Sequence, residues 1–156
     1  MNKVKVMFVC HGNICRSPMA EFVLKDIAEK NGFSDRFIIK SSATSTEEIG
    51  NPVHRGTRNK LREHNISCDG KYAVQLKKSD YAEYDYIICM DSRNIRNIMR
   101  ITGSDSERKI CRLLDFTDRK GQDIADPWYT GNFDETYNDI LDGCNAFFEF
   151  IMHKCP

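Results

Sequence analysis

Short apolar runs alternate with helix-patterned segments four times along the chain, and this alternation restricts the fold more than any other feature. Residues 3–9 are rich in Val, Met and Phe and are too few for a helix, so they read as a buried strand. Ser17 and Pro18 suit an N-cap and a first helical position. Met19, Phe22, Val23 and Ile27 then recur at helical spacing to about Lys30, and Gly32 follows as a stop. "RFIIKSS" at 36–42 reads as a second strand, 43–52 as a polar loop, and 53–65 as a helix weakened by Gly56. Residues 66–78 show no clear period. A strand at about 85–90, an amphipathic helix at 92–102, a strand at 109–116, a polar loop at 115–133 and a helical stripe at 134–153 complete the chain. Strand followed by helix, four times over, implies an α/β layer fold with a mainly parallel sheet, in one domain spanning 1–156. Ligands of such sheets bind beyond the carboxyl ends of strands, and Cys10 sits at such an end.

The stretch "VCHGNICRSPMAE" carries the chemistry. A loop between a strand and a helix start points several backbone N–H groups into one small space and favours an anion there. His11, Gly12, Asn13, Ile14, Cys15, Arg16 and Ser17 form that loop. Gly12 allows backbone geometry that other residues resist, and Asn13 tolerates the left-handed region. Arg16 brings a planar fork matched to two phosphate oxygens. Cys10 starts the cradle, so its sulfur is expected at the floor, where positive surroundings favour the thiolate. The Ser17 hydroxyl is placed to donate to that sulfur when it later departs. The bland alternative is a packed cysteine and a solvated arginine. The position of C-x5-R at a strand–loop–helix junction argues against it.

Composition narrows the setting. Lys plus Arg is 23 and Asp plus Glu is 23, so no broad electrostatic capture of nucleic acid or an anionic membrane is expected. Arg93, Arg96 and Arg100 share one helix face but read as a solvated surface. The N-terminal apolar run is interrupted by Lys5 and is too short for a signal peptide or a membrane span, which implies a cytoplasmic protein. The seven cysteines are an odd set without zinc-finger spacing, and read as free thiols in a reducing compartment. Cys89 and Cys111 suit small buried positions.

"VCHGNICRSPMAE" resembles the signature of the low-molecular-weight protein tyrosine phosphatases, and "DYIICMDSRNIRNI" at 85–98 and "DIADPWYTGNFDETY" at 123–137 agree with it. The resemblance implies a three-layer sandwich with a four-stranded parallel β-sheet flanked by helices, and a phosphate-binding loop after the first strand. It implies hydrolysis of phosphotyrosine or a small aryl phosphate through a phosphocysteine on Cys10. Arg16 and the loop amides would hold the phosphate, and Asp126 would serve as general acid and base. No metal and no cofactor are implied, and inorganic phosphate would be both product and inhibitor. A monomer with at most weak self-association is expected. Trp128 and Tyr129 match an aromatic cleft wall, Ser41 with Asn13 and Ser17 matches a brace of the loop, and Ile14 matches the tyrosine rather than the arginine phosphatases. Cys15 matches a cysteine that can pair with the nucleophile under oxidation.

Three positions depart from the family pattern. His11 stands where the family has Leu or another small residue, and is expected to face solvent. Glu47 stands where the cleft usually has an aromatic, and an acidic wall bears on which substrates are accepted. Lys71 stands where a histidine often braces the loop. Rival readings fit less well. A thioredoxin-coupled arsenate reductase shares the loop but needs a second, closely spaced cysteine pair. A phosphocysteine carrier would not need both Arg16 and the Asp126 acid, and a catalytically dead phosphotyrosine-binding module would not need to keep Cys10 and Asp126.

Overall fold

The computed structural model describes residues 2–154, so Cys155 lies outside the described residues. In chain order the elements are β1 (Val4–Cys10), α1 (Arg16–Lys30), β2 (Phe37–Ala43), α2 (Arg55–Glu63), α3 (Asp80–Glu83), β3 (Tyr86–Cys89), α4 (Ser92–Thr102), β4 (Ile110–Arg112), α5 (Pro127–Thr130) and α6 (Phe133–Lys154). The four strands are all parallel, as expected, and lie in the order β2-β1-β3-β4. The central strand β1 sets Phe8 beside Ser41, Cys10 beside Ala43 and Val9 beside Cys89. Its alternation sorts the core. Val6 and Phe8 join a cluster with residues of α1 and α6, including Leu24 and Phe147, whereas Met7 and Val9 join a second cluster with Ile98 of α4. The sheet is therefore covered on both faces, which is why β1 reads as a continuous apolar run. Each fully buried Phe or Leu here contributes on the order of 1.5–3 kcal/mol. Among the described residues no helix is long and apolar enough to cross a membrane.

Two boundaries differ from the sequence reading. α1 begins at Arg16, so Ser17 and Pro18 are its second and third residues rather than cap and first position. The Ser17 hydroxyl is drawn to the loop instead of to a helix cap. The expected strand at 109–116 stops at Arg112, and Leu113–Phe116 form a 3-10 turn. Arg112 N–H donates to Asp115 Oδ2 at 3.0 Å, which bends the chain into the turn, and both Leu113 and Leu114 are buried there.

Two glycines permit close approaches. A Cβ on Gly143 of α6 would lie 2.5 Å from Leu113 Cγ, so a glycine lets that helix close on the turn after β4. A Cβ on Gly56 would collide with the ring of Phe133. Gly56 thus costs α2 some intrinsic stability but lets α2 seat against the start of α6. The aperiodic stretch 66–78 is an extended strap. Ala43 N–H donates to Val74 O, and Leu76 N–H donates to Ala43 O, both at 2.8 Å, which ties the strap to the end of β2.

Candidate active site

β1 ends at the sulfur of Cys10, and α1 begins six residues later, so the intervening loop curls over the strand end. Asn13 takes a left-handed conformation at φ 59°, as expected. Gly12 does not take a positive φ, so the conformational freedom expected of it is not used; a Cβ there would instead stand 3.4 Å from Glu48 Cγ. The donors converge on Cys10 Sγ. Asn13 N–H lies at 3.3 Å, Ser17 N–H at 3.4 Å and Ser17 Oγ at 3.0 Å. The Ser17 amide belongs to the first turn of α1, whose N–H groups have no partner within the helix and are free to face an anion. A cleft of about 170 Å³ opens above the sulfur, lined by the loop, Glu47, Glu48, Asp126, Trp128 and Tyr129.

Arg16 is 3% exposed, yet its guanidinium reaches the floor of this cleft. Its Nη1 donates to Asp91 Oδ2 at 2.7 Å and to Ile124 O at 2.9 Å, and its Nη2 lies 3.4 Å from Asp126 Oδ2. Burial opposes its charge, but Cys10, Asp91 and Asp126 outweigh that and raise its pKa above the usual arginine value. Asp91 sits just past β3, as Cys10 sits at the end of β1, so the strand-end rule that pointed to Cys10 also points to Asp91. The sequence reading passed over it. Asp126 caps α5 through Trp128 N–H, 3.0 Å from its Oδ1, with Pro127 at the first helical position, and this leaves Oδ2 turned towards Arg16.

Beneath the loop lies a buried chain of hydrogen bonds whose direction follows from counting donors. Glu21 is buried and ion-paired with Lys25 Nζ at 2.6 Å, and it only accepts. Ser41 Oγ therefore donates to Glu21 Oε1, at 2.6 Å. Asn13 Oδ1 accepts from Val74 N–H at 3.1 Å, which fixes the amide orientation, so Nδ2 donates to Ser41 Oγ at 2.9 Å and to Ser17 Oγ at 2.8 Å. The Ser17 proton is left for Cys10 Sγ at 3.0 Å or for Ser42 O at 3.5 Å, and the shorter contact favours the sulfur. Lys71 completes the brace differently from a histidine. Its Nζ donates to Ser41 O at 2.8 Å and lies 3.8 Å from Glu21 Oε1. Burial lowers its pKa, with Glu21 pulling the other way. The sequence pointed to Ser41, Asn13 and Ser17 but not to Glu21, which looks like an ordinary i,i+4 partner of Lys25 on α1.

The remaining expected residues also fall at the cleft. His11 is half-buried and meets Glu47, Nε2 to Oε2 at 3.0 Å. Trp128 is 58% and Tyr129 79% exposed, and both line the cleft. Trp128 is steadied edge-on by His54, which stacks on Phe133. Cys15 is buried, and its thiol is pushed up to about 12, chiefly by burial and then by the charges at Cys10 and Asp126. Arg93, Arg96 and Arg100 are exposed on α4. Among the described residues no cluster of three or more His, Cys, Asp or Glu is disposed to hold a metal ion.

A sulfur at the end of a central parallel strand, ringed by amides and one locked guanidinium with a carboxylate across from it, is the site of the cysteine-dependent phosphatases of this fold. The family model for low molecular weight phosphotyrosine protein phosphatases matches residues 5–155. The chain is 44% identical over 152 residues to the low molecular weight protein-tyrosine-phosphatase YfkJ of Bacillus subtilis, covering 97% of each. The crystal structure of YfkJ superposes with a TM-score of 0.96 at 39% identity, over 100% of this chain and 99% of that one. PtpA of Staphylococcus aureus is 36% identical over 149 residues, covering 96% of this chain and 94% of PtpA. The low molecular weight protein tyrosine phosphatase SP-PTP of Streptococcus pyogenes matches with a TM-score of 0.85 at 43% identity, over 96% and 93%. The chain belongs to the low molecular weight phosphotyrosine protein phosphatase family.

Proposed function

We propose that this chain hydrolyses phosphotyrosine, and small aryl phosphates, through a phosphocysteine on Cys10, within one domain. The observation that carries the reading is the set of donors at 3.0–3.4 Å around Cys10 Sγ, with Arg16 and Asp126 beside them. Cys10 Sγ attacks phosphorus in line, the S–P bond forms, and the bond from phosphorus to the aryl oxygen breaks. Asp126, in its carboxylic acid form, passes its proton to the departing phenolate. Arg16 and the loop amides hold the equatorial oxygens, where charge is spread in the transition state. Asp91 and the Ile124 carbonyl position Arg16 for this. In the second step Asp126 takes a proton from water. The new O–P bond forms, the S–P bond breaks, and the Ser17 hydroxyl receives the returning thiolate. Phosphate is released and acts as a competitive inhibitor at the same cradle.

Charge neutralisation rests on Arg16 and amides, so turnover needs no metal. The purified chain is expected to release the phenol from a chromogenic aryl phosphate at the same rate with and without excess EDTA. Loss of activity in EDTA, restored by a divalent ion, refutes the metal-free mechanism. A monomer in the cytoplasm, acting on phosphotyrosine proteins, is the setting we infer, and the odd set of seven cysteines without a regular spacing supports a reducing compartment.

Cys15 supports a redox-sensitive site. A peroxide oxidises Cys10 to the sulfenic acid, Cys15 Sγ attacks it, and water leaves as the disulfide forms. Burial raises the Cys15 thiol and disfavours its thiolate, whereas the opposing charge at Cys10 is lost once that sulfur is a sulfenic acid. Brief peroxide treatment is expected to give a Cys10–Cys15 disulfide by mass spectrometry, with activity restored by a dithiol. Sulfinic acid on Cys10 without that disulfide removes the switch.

A further inference from the structure

The cleft around Cys10 carries more negative charge than a site for phosphorylated substrates requires. Glu47, with its side chain 71% exposed, and half-buried Glu48 line it, in addition to Asp126, which serves the reaction as its acid. Glu48 packs against the phosphate loop, since a Cβ on Gly12 would be 3.4 Å from its Cγ, and its Oε2 accepts from Asn51 Nδ2 at 3.4 Å. The cations do not balance this at the mouth. Arg16 is buried at the floor and already engaged with Asp91, Asp126 and the Ile124 carbonyl. Among the described residues lining the cleft there is no lysine, and His11 is held by Glu47. The other exposed lining groups are the rings of Trp128 and Tyr129. Carboxylates beside open aromatic faces are a surface that attracts cations twice over, by charge and by the ring quadrupole.

We propose that this cleft selects phosphotyrosine flanked by lysine or arginine, with Glu47 and Glu48 as the specificity-determining residues. The proposal rests on the phosphatase reading above and adds the substrate class. The carboxylates oppose entry of a bare phosphate dianion, and a basic neighbour on the same substrate offsets that opposition. It can pair with Glu47 or Glu48 or lie against Trp128, while the phosphate descends to Arg16. The rim is exposed, so each pair is a modest, screened interaction, and two of them amount to a preference of several-fold to about tenfold.

The test uses three phosphotyrosine peptides that differ only in having Lys, Gln or Glu beside the phosphotyrosine, and a chromogenic aryl phosphate as reference. The expected order of kcat/KM at about 0.01 M salt is Lys, then Gln, then Glu. The Lys to Glu ratio should shrink towards one at about 1 M salt, where the screening length falls to about 3 Å. Ratios are read within each protein, so changes in the underlying rate cancel. The E47Q/E48Q variant should flatten the ratio and E47K/E48K should invert it. If neither variant folds, the salt series on the unaltered chain decides by itself. Hydrolysis of the aryl phosphate with a peptide ratio of one at low salt, or with a preference for Glu, overturns the proposal and leaves the phosphatase reading standing. Failure on the aryl phosphate as well overturns both.

Discussion

The Cys10→Ser variant is expected to lose turnover by at least about 10⁴-fold while still binding phosphate or vanadate. The hydroxyl is a far weaker nucleophile than a thiolate and has no base of its own here, since its nearest side-chain partner is the Ser17 hydroxyl. The cradle is made of loop amides and Arg16, and the guanidinium is held by Asp91 and the Ile124 carbonyl rather than by the sulfur. Binding therefore survives the loss of the nucleophile. Two measurements check this: steady-state hydrolysis of an aryl phosphate, and titration with vanadate. A rapid quench of the unaltered chain with labelled aryl phosphate should leave the phosphoryl group on Cys10 in the mass spectrum. Retained turnover in the variant, or label on another residue, would end the covalent mechanism.

The Asp126→Ala variant should lose about 10²–10⁴-fold on substrates with poor leaving groups, corresponding to about 3–5 kcal/mol of transition-state stabilisation. Phenyl phosphate needs a proton as its bond breaks, whereas a nitrophenyl phosphate leaves readily as the anion and should lose much less. Of the two carboxylates that reach Arg16, that of Asp126 is held less tightly and lines the cleft. Asp91 is bound at 2.7 Å to Arg16, whereas the contact from Asp126 Oδ2 is a looser 3.4 Å. The check is a plot of log kcat/KM against leaving-group pKa for both proteins. A steeper slope in the variant is expected. An equal loss across the series shows that Asp126 acts by holding the loop through Trp128 and not by transferring a proton.

Local pattern and topology explain which features were legible in the sequence. Short apolar runs and the 3.6-residue period mark the strands, the helices and their order, and the order dictates a parallel sheet with Cys10 at a strand end. The loop could be read because all its parts lie within eight residues of one another, so chain geometry brings them together unaided. Ser17 was misplaced as a helix cap because its side chain answers to Asn13 and Cys10, and propensity knows nothing of those contacts. The strand at 109–116 was read too long because Asp115 turns the backbone after Arg112. Residues 66–78 were unreadable because their hydrogen bonds go to Ala43, Asn51 and Asn13, far away in sequence.

The order of strands and helices, and the pairing of a thiol with a guanidinium across one tight loop, are properties of the chain itself, because they depend on neighbours a few residues apart. Folding alone decided that Asp91 would lock Arg16, that Asp126 would reach the same guanidinium from 110 residues away, and that Glu21 would orient a proton chain ending at the Cys10 sulfur. Those groups meet only when separate strand ends are gathered along one edge of the sheet, and no local pattern records how distant segments will be packed.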